Sequence, residues 1–243
     1  ALEAARAGEI DLQNRVRVSE RAASRGGSSM HLRAGDRPRL EDLLMGVMAL
    51  SGNDAATAVA EAVAGSERAF VARMNAAAEA LGLQTSRFRN ATGLPAAGHV
   101  MSARDVAQLT LALMARYPGA SRFSTPLQMT WNGVDQPNRN PLLALDFSDM
   151  NAKVDGVKTG YTRAAGFGGV FTARRDPARR STASLEETET GAATGPTATA
   201  PAAPSKPTRV LVVLAGLGSE AARQKDGARA LRWALARSSA QGE

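Results

Sequence analysis

Val154-Asp155-Gly156-Val157-Lys158-Thr159-Gly160-Tyr161-Thr162 begins as a short β-type run and ends on a turn residue, so its plain reading is a strand entering a turn. The triplet Lys158-Thr159-Gly160 says no more by itself, because three-residue words recur by chance in unrelated chains. A second short word, Ser51-Gly52-Asn53, stands 158 − 51 = 107 residues earlier. It directly precedes a helix-like run, and the plain reading of Ser51 is a helix N-cap. What gives the pair weight is order and setting: a serine and an asparagine on a helix, then a lysine on a strand.

Outward from these words, the first two-thirds of the chain read as helical. Residues 1–8 look like the end of a helix closed by Gly8, and Arg15 to Ser19 like a short strand or extended piece. From Arg39 to Leu50, Leu40, Leu43, Leu44, Val47 and Met48 fall on one helical stripe. From Asn53 to Ala64 almost every residue is Ala or Val, so that helix is expected to be buried on all sides. Gly65 ends it and Ser66 caps the next, whose Phe70, Val71, Met74, Ala78 and Leu81 recur at helical spacing. Ser102 with Asp105 resembles a capping box before a helix with Val106, Leu109, Leu113 and Met114 on one face.

After Tyr117-Pro118 the pattern changes to short strands: Leu127 to Trp131, Lys153 to Val157, Gly168 to Arg174 and Arg209 to Leu214. The last is the most apolar and is expected to be a central strand. A helix from about Ser219 to Ala236 closes the fold, with Ala222, Ala230, Leu231, Trp233 and Ala234 available to pack on the sheet, and residues 237–243 form a tail. Between the last two strands, residues 177–207 are rich in Ser, Thr, Ala, Pro and Gly with an acidic patch at Glu186-Glu187-Thr188-Glu189. Such a composition cannot offset its ordering entropy and reads as a disordered insertion at a hairpin tip.

Composition narrows the function. The 243 residues contain no cysteine, which excludes disulfides and thiolate metal sites. The two histidines, His31 and His99, stand far apart, leaving little for a zinc site or a His-based triad. The net charge of +7 suits an anionic partner, but aromatic residues at 4% leave few platforms for stacking bases, so no nucleic-acid partner is expected. Gly26-Gly27-Ser28-Ser29-Met30 lacks the Lys-Ser/Thr pair and helix of a phosphate loop. The eight methionines read as core filler. No run approaches the length of a membrane-spanning helix, and no cofactor or metal is called for.

The words between the two motifs complete a pattern. Leu50-Ser51-Gly52-Asn53-Asp54-Ala55-Ala56, Asn90-Ala91-Thr92-Gly93-Leu94-Pro95, Ser102-Ala103-Arg104-Asp105, Trp131-Asn132-Gly133, Pro137-Asn138-Arg139-Asn140-Pro141 and the run at 154–162 resemble, in order, the low-molecular-mass D-alanyl-D-alanine carboxypeptidases. These are penicillin-binding serine peptidases of family S11, and the likeness extends from residue 1 to about 236. It implies an α+β fold of the β-lactamase/DD-peptidase type, a mainly antiparallel sheet flanked by helices on both faces, plus a helical subdomain. It further implies a periplasmic or other extracytoplasmic enzyme, which removes the terminal D-Ala from peptidoglycan pentapeptides through an acyl-enzyme and is acylated by β-lactams.

By the same resemblance Ser51 would relay a proton toward the departing D-Ala, and the Asn53 amide would hold the substrate's peptide carbonyl. Lys158 would supply positive potential and orient Ser51. Thr159 would bind the terminal carboxylate, and the strand edge from Lys158 through Gly160 to Tyr161 would pair with the peptide, the Tyr161 N–H serving as an oxyanion donor. Arg223 aligns with an arginine that reaches the substrate region; its plainer reading is a solvated residue on the closing helix.

Two departures stand against this pattern. Tyr161 occupies a position where histidine is frequent. More consequentially, there is no Ser-x-x-Lys: the residues three before Lys153, Lys158, Lys206 and Lys225 are Met150, Asp155, Ala203 and Ala222. In the family that motif, which supplies the nucleophile, lies just upstream of the helix end resembled by residues 1–8, with early strands of the sheet. The expectation is therefore an N-terminally truncated domain over residues 1–236 that is not acylated and leaves a sheet edge unpaired. The competing readings are a catalytically inactive peptidoglycan-peptide-binding homologue and, with no matching acidic loop, a β-lactamase.

Overall fold

The computed structural model describes residues 1–175 and 208–240. The expected insertion at 177–207 and residues 241–243 lie outside the described residues. Six helices come first: α1 (Leu2–Arg6), α2 (Glu20–Ala23), α3 (Leu40–Leu50), α4 (Asn53–Ala64), α5 (Glu67–Ala80) and α6 (Ala103–Arg116). Their ends follow the sequence cues. Gly65 closes α4 at φ +72°, and the Ser66 and Ser102 hydroxyls accept from the N–H groups of Ala69 and Asp105. Arg15 to Ser19 forms extended chain with a single bridge, Arg15 to Arg39.

The core of this half is built from Val18, Met30, Leu40, Leu43, Leu50 and Val59, all buried. Each such side chain stabilises by roughly 1.5–3 kcal/mol when fully covered. The first eight residues of α4 are buried as its composition implies, while its last turn is half-exposed. Two carboxylates bind the helices to their loops. Glu67 accepts from Arg21 and Arg25 and from the Ala91 N–H. Asp105 accepts from the N–H and hydroxyl of Thr85 and the hydroxyl of Ser86. The capping box expected at Ser102 is thus half made: the Ser102 hydroxyl accepts from the Asp105 N–H, while the Asp105 carboxylate is engaged by the loop donors.

Five strands follow: β1 (Gln128–Trp131), β2 (Val134–Pro137), β3 (Ala152–Thr162), β4 (Gly166–Arg175) and β5 (Thr208–Leu217). The sequence reading passed over β2. Its partner is set by Asn132 and Gly133 at φ +47° and +76°, the two positive values that a tight two-residue hairpin turn requires. The larger sheet is antiparallel in the order β3-β4-β5. Arg209 to Leu214, expected to be central, lies on β5 at the edge of that sheet. The middle place belongs to β4, since no described strand pairs with the far side of β5.

The closing helix α7 (Glu220–Ala240) continues through residues expected to be tail. Its Leu231 and Leu235 pack with Val154, Phe171, Ala173 and Val210 of the sheet and with Leu142 and Phe147. Trp233, expected to join that core, is instead 64% exposed. The reason is angular: buried Arg223, Gly227, Leu231 and Leu235 form one i, i+4 stripe, and a residue two positions on points about 200° away. On the other face of the sheet, Val157, Asp155 and Arg209 meet Met48 of α3 and Leu113 and Met114 of α6 across a crevice.

Candidate active site

The junction of α3 and α4 makes the first wall of the site. Ser51 ends α3 in the left-handed region (φ 57°, ψ 31°), and Gly52 then turns extended to start α4. Ser51 is therefore a C-cap residue and not the N-cap its plain reading suggested. Gly52 is fixed by space, since a Cβ there would come within 2.9 Å of the Asp54 carboxylate and 3.3 Å of the Met30 backbone nitrogen. Left-handed backbone at a residue other than glycine costs roughly 1–2 kcal/mol and gathers at functional positions.

Asn53 is buried at the start of α4. Its N–H donates to the Ser28 carbonyl at 2.8 Å, and its side-chain nitrogen donates to the Gly26 carbonyl, also at 2.8 Å. The loop it grips is itself held by Asp54, a fully buried carboxylate that receives the N–H groups of Met30 (2.9 Å) and Leu32 (3.0 Å) and the Ser29 hydroxyl (2.6 Å). Sequence reasoning missed Asp54. The available signal was a charge inside a helix otherwise read as apolar all round, which requires partners.

The second wall is β3. Lys158 Nζ reaches across the 107-residue separation to donate to the Ser51 hydroxyl, and also donates to the Thr159 carbonyl at 2.6 Å. The Lys158 ammonium is lowered to about 8, first by burial and then by the nearby Arg223 and Arg139. Arg139, another residue not singled out from the sequence as a site member, is tied to both walls. Its N–H donates to Ala49 of α3 and its carbonyl accepts from the Thr159 hydroxyl at 3.2 Å.

Arg223 is 4% exposed, so the solvated reading fails; it projects from α7 toward the sheet. Its guanidinium lies 5.7 Å from the Phe167 ring centre and donates to Glu220 at 2.6 Å. Tyr161 stands directly across the ladder from Phe167, and the two rings stack at 4.2 Å with the tyrosine 55% exposed. No atom lies within 4 Å of where a Gly160 Cβ would be, leaving open space beside the strand. β3 pairs with β4 on one side only among the described strands.

Ser51, Asn53, Lys158 and Thr159 are thus gathered where the helical part meets the sheet, with Gly160 and Tyr161 on the same strand, while Arg223 reaches the sheet from α7 and bears on Lys158 through its charge. His31 and His99 contribute no metal cluster, and no group of three or more His, Cys, Asp or Glu with metal-binding geometry occurs among the described residues. Chemically the arrangement offers a hydroxyl that accepts from a buried lysine, concentrated positive charge and a strand edge. Positive charge beside an open strand edge is chemistry that suits an anionic, extended partner.

This combination of an antiparallel sheet, a helical half and a Ser–Lys contact at their seam defines a penicillin-binding DD-peptidase fold. Penicillin binding protein 6B from Escherichia coli superposes with a TM-score of 0.76 and 31% identity over 95% of this chain and 64% of its own. The D-alanyl-D-alanine carboxypeptidase DacD from Francisella tularensis gives 0.77 and 26% over 96% and 60%. In sequence, D-alanyl-D-alanine carboxypeptidase DacC of E. coli is 39% identical over 183 residues, 73% of this chain and 45% of the relative. DacF of Bacillus subtilis is 39% identical over 168 residues, 68% and 42% respectively. The chain therefore spans less than half the length of these two curated relatives. The signature of the D-alanyl-D-alanine carboxypeptidase family, Peptidase_S11, matches residues 1–188, and the chain belongs to that family.

Proposed function

We propose that the protein to which these residues belong is a serine-type D-Ala-D-Ala carboxypeptidase. It removes the terminal D-Ala from peptidoglycan stem pentapeptides outside the cytoplasmic membrane, and β-lactams acylate the same nucleophile. That nucleophile comes from a Ser-x-x-Lys segment that is not among the 243 residues. This chain supplies the relay and the binding surface as one domain over residues 1–236.

The observation that carries the reading is the contact between Lys158 and Ser51, with Asn53 two residues beyond. Ser51 passes a proton toward the leaving D-Ala amine, and Lys158 orients its hydroxyl and adds the positive potential that keeps a neighbouring amine neutral. The Asn53 side chain holds the substrate's peptide carbonyl. The peptide adds to the open edge of β3 at Lys158, Thr159 and Gly160, with the Tyr161 N–H as half of an oxyanion hole. The terminal carboxylate meets Arg223 and the Thr159 hydroxyl, which turns from the Arg139 carbonyl to donate to it.

Two measurements test this. Sequencing the coding DNA upstream of Ala1 should give strand-like runs and a Ser-x-x-Lys. The complete protein should then release D-Ala from N-acylated Lys-D-Ala-D-Ala, and Lys158→Ala should abolish most of that release. A genuine start at residue 1, or D-Ala release undiminished by Lys158→Ala, would remove the proposal.

A further inference from the structure

The loop from Gly26 to Met30, which lacks the features of a phosphate site, runs on into a segment that the relay does not use. Asp54 draws the N–H groups of Met30 and Leu32 inward, and both side chains are buried. Ser29, His31 and Arg33 alternate with them and are turned outward, as in any extended segment. Beside them stands the β1–β2 hairpin. The two flank a recess of about 350 Å³ lined by Ser29, His31, Leu32, Arg33, Trp131 and Asn132. Neither Ser51 nor any residue of β3 belongs to this lining.

Its polar groups are mostly donors left without acceptors. His31 and Arg33 are exposed, and neither side chain makes a hydrogen bond or ion pair among the described residues. The Trp131 indole nitrogen in the same wall is buried and also has no partner there. The Asp36 carboxylate accepts the Arg33 backbone N–H at 2.9 Å and lies 3.4 Å from the Asn132 amide nitrogen. The Asp54 carboxylate is turned inward, so neither acid pairs with the Arg33 guanidinium. His31 is held at φ +62°, left-handed backbone that is uncommon outside glycine, with its N–H on the Ser29 hydroxyl. A free guanidinium beside an imidazole and a carboxamide suits a carboxylate.

The recess continues from the proposed peptide site. The Asn53 N–H donates to the Ser28 carbonyl, and Ser29, one residue or about 3.8 Å further on, begins the recess wall. Arg33 comes five residues after Ser28, at most about 18 Å away. A pentapeptide with its last two residues at the seam has three left, which span about 10 Å when extended. On the carboxypeptidase reading, which supplies the ligand, we infer that the recess is a subsite for a free carboxylate on the stem peptide upstream of D-Ala-D-Ala. Arg33 binds that carboxylate, with His31 and Asn132 as further donors.

The probes are N-acetyl-γ-D-Glu-Lys-D-Ala-D-Ala and the same peptide with the glutamate carboxylate converted to its amide. Both keep the terminal carboxylate, so a difference between them reports the upstream one. The chain contains two tryptophans, so Trp233→Phe leaves Trp131 as the sole indole, and its emission follows the recess. The free-acid peptide should shift that emission and bind about tenfold more tightly than the amide, the order expected of one charge-assisted hydrogen bond. Arg33→Gln should abolish the difference without weakening the amide peptide. Arg37→Gln, on an exposed side chain outside the lining, should leave it intact. In the complete protein the same preference should appear in KM for D-Ala release and not in kcat. Equal affinities with an unshifted emission overturn the inference, as does a preference that survives Arg33→Gln. Binding of neither peptide removes the carboxypeptidase reading together with the subsite, whereas equal binding of both removes the subsite alone.

Discussion

At Ser51 the backbone and the side chain have opposed preferences. The left-handed conformation there favours glycine, yet the hydroxyl is what Lys158 contacts. Ser51→Gly should therefore raise stability by about 1 kcal/mol in denaturant titrations while removing the hydroxyl proposed as the proton relay. A loss of stability would mean that the Lys158 contact outweighs the backbone strain. Lys158 has the same character. Its folded value of about 8 lies below the unfolded lysine value, so the folded state disfavours the protonated amine. Below pH 8 both states carry the charge and the folded state bears its full burial cost. Between pH 8 and the unfolded value near 10.4 the unfolded state holds more protons, so stability rises with pH. Lys158→Met should stabilise the domain most below pH 8, and that gain should shrink as pH rises above it. A gain that stays constant from pH 7 to 10 would contradict the shift. Ser51 and Lys158 thus both cost stability at this seam, as residues of the proposed site would.

Among the elements, the helix boundaries were legible and their destinations less so. Gly65, Ser66 and Ser102 gave the ends of α4, α5 and α6, because caps are local chemistry. Periodicity located the stripe of α3, and the motif words located Ser51, Asn53 and Lys158. What the sequence hid was non-local. Asp54 acts on a loop 22 to 25 residues away and Arg139 on helix α3, 90 residues away at Ala49, and no spacing rule connects them. Trp233 was assigned to the core because an apolar residue on a closing helix usually faces inward; only the buried stripe of α7 shows that it does not. Asp54 offers the sharpest test at this scale. Asp54→Asn replaces one acceptor by a donor that faces the N–H and hydroxyl donors of residues 29–32. It should cost about 3 kcal/mol. Amide exchange should quicken first at Met30 and Leu32, before any global opening. Uniform acceleration across the domain would show that the loop has no separate dependence on this carboxylate.

For the molecule as a whole, two halves with separate cores meet at one seam, and the residues of the proposed site lie on either side of it: Ser51 and Asn53 with the helices, Lys158 and Thr159 with the sheet. On α6 Leu109 is partly exposed on the apolar face and Leu111 is exposed on the opposite one, and the outer edge of β5 is unpaired among the described strands. Arg209 of β5 and Leu113 of α6 line one crevice with Met48 and Val157. In the proposed reading a segment bearing a nucleophile would pair with that open edge, whereas Ser51 meets a single lysine amine, that of Lys158, among the described residues. Residues 1–243 alone should therefore form no covalent adduct when incubated with benzylpenicillin and weighed intact by mass spectrometry. The complete protein should gain one penicilloyl group on a serine outside these residues, and Ser51→Ala in that protein should slow acylation by about 100- to 10,000-fold, the range ascribed to a positioned proton donor or acceptor. An adduct mapped to Ser51 in the 243-residue chain would reverse the assignment, making the residue at the helix end the nucleophile and Lys158 its base.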